Sequence, residues 1–204
     1  MITTLAMIRS YNPCGQAVNS YTGWDKLTRR LGTTDPDASV SLSQILAFNG
    51  IEDAVWALRC FDYKKYCLFL AEVAESVYPY YRNVYPDDTV VRRVIHNIRW
   101  HYDGTHTSEQ LYSSAIDVIR GNNRNTTCLS AQHASDTVAY AAIANVSSSS
   151  YTIAHAVAAT IHYYAACFVD NKITLNYADV IRQDKFMEIE LMFKKHFCTE
   201  ENGK

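Results

Sequence analysis

Apolar positions along this chain recur at three- and four-residue intervals, the spacing of helices that bury one face, and the runs end at recognisable stops. Ile51, Val55 and Leu58 form one stripe between Ile51 and Phe61. Tyr66, Phe69, Leu70, Val73 and Val77 form the next, on a helix that Asp62 can cap and that Tyr78-Pro79-Tyr80 ends or kinks. Val90, Val91, Val94, Ile95, Ile98 and Tyr102 follow, up to Gly104. Thr107-Ser108-Glu109-Gln110 is a capping box, from which Leu111, Ala115, Ile116 and Ile119 lead to Gly121 and a polar stretch over 122–130 that reads as a loop. Two Ala-rich segments, Ala131 to Asn145 and Tyr151 to Val169, are joined by a serine run, and small side chains let such helices approach closely as a central hairpin. A last segment, Leu175 to Phe197, carries Tyr177, Val180, Ile181, Met187, Leu191 and Phe197 among charges.

The first fifty residues are more broken. Asn12-Pro13-Cys14-Gly15 reads as a turn, and Thr22-Gly23-Trp24-Asp25 caps a short helix closed by Gly32. A polar loop, Thr33 to Ser39, precedes Ser41-Leu42-Ser43-Gln44, which caps a helix ending at Asn49-Gly50. No run alternates strictly between hairpin turns, so no sheet is expected. The expectation is an all-α fold: one compact domain of about eight helices with the Ala-rich hairpin at its centre. Residues 1–50 are its irregular part, 51–198 the helical body and 199–204 a tail.

Composition narrows the function classes. The chain has 204 residues, 48% hydrophobic and 20% charged, which suits a folded domain and not a disordered one. A net charge of −2 provides no field for nucleic acid or an anionic membrane, and Arg92-Arg93 and Lys194-Lys195 read as solvated faces. Thr137 to Val169 contains no Asp, Glu, Lys or Arg, but its serines, Asn145, His155 and His162 favour a buried hairpin over a membrane span. The first residues, MITTLAMIRS, lack the features of a secretory leader, and Cys14, Cys60, Cys67, Cys128, Cys167 and Cys198 are scattered as reduced thiols would be. A cytoplasmic location is expected.

Candidate chemistry is sparse. No P-loop, GxGxxG, HExxH, GxSxG or calcium-loop pattern occurs. His96, His101 and His106 recur at intervals that spread them around a helix. His155 and His162 share a face and could build a zinc site with Cys128, His133 or Cys167, although interior hydrogen bonding explains them more simply. Cys128 with His133 is a weak thiol–base pairing. The expectation is no metal, no cofactor and no catalytic residue. Tyrosine is the anomaly: there are 15, and Tyr78, Tyr80, Tyr81 and Tyr85 cluster around Pro79 and Pro86. Tyrosine is enriched at interfaces, so Tyr80, Tyr81, Arg82, Tyr85, Asp87 and Asp88 are the candidate partner-binding residues. An aromatic core corner is the alternative.

The segment Asp53 to Glu75, DAVWALRCFDYKKYCLFLAEVAE, carries a block, Trp56-Ala57-Leu58-Arg59-Cys60-Phe61, that resembles a family of small helical immunity proteins (Imm5-like) found beside polymorphic toxins and in phage genomes. Gly23-Trp24-Asp25-Lys26-Leu27, Leu31-Gly32-Thr33 and Asn49-Gly50 are similar to the N-terminal block of some members. In this chain the second half is richer in Tyr and Ser and poorer in Ala. The resemblance implies inhibition of a toxin or a host or defence protein by direct binding, with Trp24, Trp56, Leu58, Arg59 and Cys60 in structural roles. It supplies no catalytic motif. A phage accessory or structural protein acting as an oligomer, and an enzyme with an unfamiliar site, remain alternatives.

Overall fold

The computed structural model describes residues 1–11, 13, 23–125, 128–146 and 175–198. Among them are nine α-helices: α1 Leu5–Ser10, α2 Gly23–Leu31, α3 Leu42–Asn49, α4 Ile51–Ala57, α5 Cys67–Val84, α6 Val90–Tyr102, α7 Ser108–Asn125, α8 Leu129–Val146 and α9 Leu175–Phe197. Short 3-10 turns, Leu58–Cys60 and Tyr63–Lys65, connect α4 to α5.

Local chemistry sets the helix ends. Ser41 closes a full capping box on α3: its hydroxyl accepts the Gln44 N–H at 3.1 Å, and the Gln44 side chain accepts the Ser41 N–H at 2.8 Å. Thr107 and Gln110 repeat the arrangement at α7, at 3.2 and 2.8 Å. Gly50, at φ 96°, lies in the left-handed region that a side chain would disfavour, and there the chain turns from α3 directly into α4.

α5 packs on α6 and α8, and α7 packs on α6 and α8. The stripes expected on α4 to α7 turn inward, with Leu58, Phe69, Leu70, Val73, Val77, Val94, Ile98, Leu111 and Ala115 all buried, except that Tyr102 at the end of α6 is exposed; on α9 Phe197 is buried but Met187 and Leu191 are exposed. α8 is buried nearly all round through Ala131, Ala134, Val138, Ala139, Ala141 and Ala142, as befits a helix at the centre of the fold. Its described neighbours are α5, α6 and α7; the second half of the expected hairpin, Tyr151 to Val169, lies outside the described residues. α9 lies against α3, α4 and α5, where Phe193 and Phe197 meet Phe69 edge-on at 5.7 and 5.4 Å between ring centres.

Four expectations are corrected. A two-stranded antiparallel ribbon is present, β1 Ile2–Thr4 pairing with β2 Ser39–Ser41, so part of the expected polar loop is strand and α1 hangs from the ribbon. The Leu42 N–H to Met1 carbonyl bond and the Leu5 N–H to Ala38 carbonyl bond extend the pairing at both ends, at 3.0 and 3.1 Å. Of the two outcomes expected at Pro79, an end or a kink, the end does not occur: α5 runs on to Val84 with Pro79 inside it. Gly121 does not end α7, which continues to Asn125 and removes much of the expected 122–130 loop. Asp62, expected to cap α5, caps instead the 3-10 turn before it, accepting the Lys64 N–H at 2.9 Å.

Among the described residues no helix is long and apolar enough to cross a membrane.

Candidate functional site

Two places gather the residues that the sequence singles out. The first is the end of α5. Tyr81 is only 6% exposed, and its hydroxyl donates to Asp88 Oδ2 at 2.7 Å. Asp88 Oδ1 accepts the Val90 N–H at 2.7 Å and so fastens the start of α6. Burial, followed by the neighbouring Asp88 carboxylate, pushes the Tyr81 phenol pKa up. The half-buried Tyr85 ring leans on Tyr81 at 5.2 Å. Of the six candidate contact residues, then, Tyr81, Tyr85 and Asp88 build the corner itself, whereas Tyr80, Arg82 and Asp87 are exposed. Beside them Tyr78, Pro79, Arg82, Asn83 and Pro86 line an open groove of about 420 Å³. The aromatic-corner reading holds for Tyr81 and Tyr85, and Tyr80 lies on the outer surface.

The second place lies between α2, α3 and α4 and collects the residues that carry the immunity-protein resemblance. A cavity of about 120 Å³ has a floor of buried Ile8, Leu27, Ile45 and Ala57 and walls formed by half-buried Trp24 and Trp56. Its one polar corner is made by Asn49 and Asp53. The Asn49 amide donates to the Gly23 carbonyl at 2.6 Å and to Asp53 Oδ2 at 2.7 Å, tying α2, α3 and α4 together. That leaves Asn49 Oδ1 buried with no donor. A Cβ at Gly23 would collide with the Asp53 carboxylate, so a side chain there would displace it. Arg59 stands outside the cavity; its Nε donates to the Trp56 carbonyl at 2.8 Å, and its guanidinium lies 3.8 Å from the Trp56 ring centre. Leu58 is fully buried in the core, and Cys60 is half-buried with its thiol pKa raised by burial, against smaller lowering by Thr3 and Arg59.

Asn49 and Asp53 were visible in the sequence only as parts of a resemblance. They stand four apart, but on two helices separated by the Gly50 turn, so helical periodicity could not place them together.

His101, 5% exposed, stacks on Tyr63 at 5.1 Å, and its Nδ1 lies 2.9 Å from the His106 carbonyl. A carbonyl only accepts, so Nδ1 carries the proton, and buried Nε2 is an acceptor with no donor, like Asn97 Oδ1 one turn earlier. His96 and His106 both flank Trp100, at 6.0 and 4.9 Å. Burial pushes the Cys67 thiol up to about 12, far from the reactive range. Among the described residues no three His, Cys, Asp or Glu side chains converge to hold a metal; His155, His162 and Cys167 lie outside them.

No family model matches the sequence, and no curated protein or solved structure matches it. The resemblance to immunity proteins therefore stands on the Trp56 to Phe61 block and its companions alone.

Proposed function

We propose that this chain is a non-enzymatic, cytoplasmic protein-binding inhibitor of the immunity type, neutralising a toxin or a host or defence factor by covering its surface. The observation that supports this reading is the outer face at the end of α5, where Tyr80, Arg82, Val84 and Asp87 are exposed beside the Pro79–Pro86 groove. The Tyr81–Asp88 bond stiffens the backbone beneath that face. An aromatic ring, an arginine and a carboxylate held on a rigid support are the elements of an interface hot spot, because little conformational entropy is lost when a partner docks.

The test identifies the partner by affinity capture, reconstitutes the complex from purified components and measures the partner's activity with and without this chain. Tyr80→Ala and Arg82→Ala should each weaken binding by about 2 kcal/mol, roughly thirtyfold, with an unchanged melting temperature. Variants that bind like the parent would remove this face from the interface. A partner left fully active in the complex would end the inhibitor reading.

A second reading, self-association as an oligomeric phage accessory or structural protein, is favoured by Met187 and Leu191, exposed one turn apart on α9. Sedimentation equilibrium separates the two: the inhibitor reading expects a monomer that pairs with a different chain.

A further inference from the structure

We propose that the cavity between α2, α3 and α4 is a binding site for a primary ammonium group carried on a compact apolar stem. The inference rests on the cavity alone and does not depend on the inhibitor reading.

The polar corner presents acceptors only. Both Asn49 N–H groups are engaged, one by the Gly23 carbonyl and one by Asp53 Oδ2, so the corner keeps no N–H to offer a ligand, and its charged group is the Asp53 carboxylate. The amide orientation is fixed by its partners, since a reversed amide would set an oxygen against two acceptors. Among the described residues no Lys, Arg or His lines the cavity and Asp53 has no cationic partner; the Lys26 ammonium nearby donates to the Asn49 backbone carbonyl, at 3.4 Å. An ammonium suits this corner: it brings N–H donors and a positive charge for the carboxylate. A carboxylate or phosphate ligand would face acceptors and a like charge, which argues against an anion even though Arg9 and Arg59 approach the outer faces of Trp24 and Trp56.

The rest of the cavity sets the stem. Its floor is aliphatic and its walls are indole rings, which favour a cation near their faces and exclude water from an apolar chain. A volume of about 120 Å³ is a little below the ~150 Å³ of an apolar cavity that takes benzene, so the cavity holds about four or five carbon atoms and a longer stem or ring extends through its open mouth. Such a group arrives either as a free small amine or as a lysine side chain of a partner protein.

Two of the three tryptophans, Trp24 and Trp56, form the walls, so indole fluorescence reports occupancy, with Trp100→Phe removing the third. Benzylammonium, n-pentylammonium, benzyl alcohol, benzoate and Nα-acetyl-lysine methylamide are titrated separately up to about 10 mM, the affinity range of ligands this small. The expected result is saturable binding of the ammonium probes at least tenfold tighter than benzyl alcohol, with no binding of benzoate. Asp53→Asn keeps an acceptor for Asn49 and should weaken ammonium binding at least tenfold. The comparison of benzylammonium with benzyl alcohol on the unsubstituted cavity requires no variant to fold. Preference for the lysine derivative assigns the site to a partner side chain, and preference for the free amines assigns it to a small molecule. Equal binding of amine and alcohol, preferred binding of benzoate, or no saturable response to any ammonium probe would each overturn the proposal.

Discussion

Trp56 divides its surface between two neighbours: one face lies under the Arg59 guanidinium and another forms a cavity wall, so the ring is half-buried. Two residues on, Leu58 is wholly enclosed. The two therefore differ in energetic weight, although they share one motif. Leu58→Ala should cost about 2–5 kcal/mol, because it removes buried methyl groups and leaves a void. Trp56→Ala should cost less than Leu58→Ala, since its site already has space on one side, and chemical denaturation of the two variants tests the order. The same distinction applies at the tyrosine corner. Tyr81→Phe keeps the packing and loses only the bond to the Asp88 carboxylate, worth about 1.5 kcal/mol for a charged acceptor. Tyr80→Phe should leave the melting temperature where it was, because Tyr80 is 42% exposed on the outer face.

At the scale of the element, α5 carries a cost within itself. Pro79 has no N–H for the Glu75 carbonyl, and its ring presses on that same turn, yet the helix persists because Val73, Ala74, Val77 and Tyr81 are buried on both sides of it. Pro79→Ala restores the donor and should raise stability by about 1–3 kcal/mol, seen as a higher denaturation midpoint with an unchanged slope. A lower midpoint would mean that the proline's local geometry is needed to seat Tyr81 against Asp88. The capping boxes act in the opposite sense: Thr107→Ala removes the acceptor for the Gln110 N–H and should cost about 1 kcal/mol.

At the scale of the whole molecule, α9 is fastened to α5 by aromatic packing and by one carboxylate. Glu72 takes Lys195 at 2.9 Å and His196 at 2.7 Å, beside the cluster of Phe69, Phe193 and Phe197. Burial raises the Glu72 pKa, but the hydrogen bonds and positive charges of Lys195 and His196 outweigh it, and the net shift is downward from 4.5. The stabilisation is therefore present in full above the unfolded value near 4.5 and is lost as pH falls through the lower folded value. The parent should exceed Glu72→Gln in stability above that window, converge with it below, and lose part of its advantage in high salt because the pair is partly exposed. Amide exchange across Phe193 to Phe197 locates the effect on α9.

What the sequence by itself determined is what neighbouring residues decide. Helix stripes, capping boxes at Ser41 and Thr107, and the stops at Gly32, Gly50 and Gly104 depend on contacts within four residues and on backbone angles that glycine alone adopts freely, and each was legible in the chain. What only the tertiary structure decided depends on residues far apart. The ribbon joins Ile2–Thr4 to Ser39–Ser41 through backbone groups, three residues a side, too short to leave an alternating pattern. Which tyrosine of the α5 end faces inward depends on where α6 places Asp88. The Asn49–Asp53 corner exists because α2 brings the Gly23 carbonyl and the Trp24 ring across to α3 and α4, and no local pattern records that approach. Short-range order follows from propensity and capping, whereas a site needs surfaces from several helices at once, and only packing of the whole chain sets those distances.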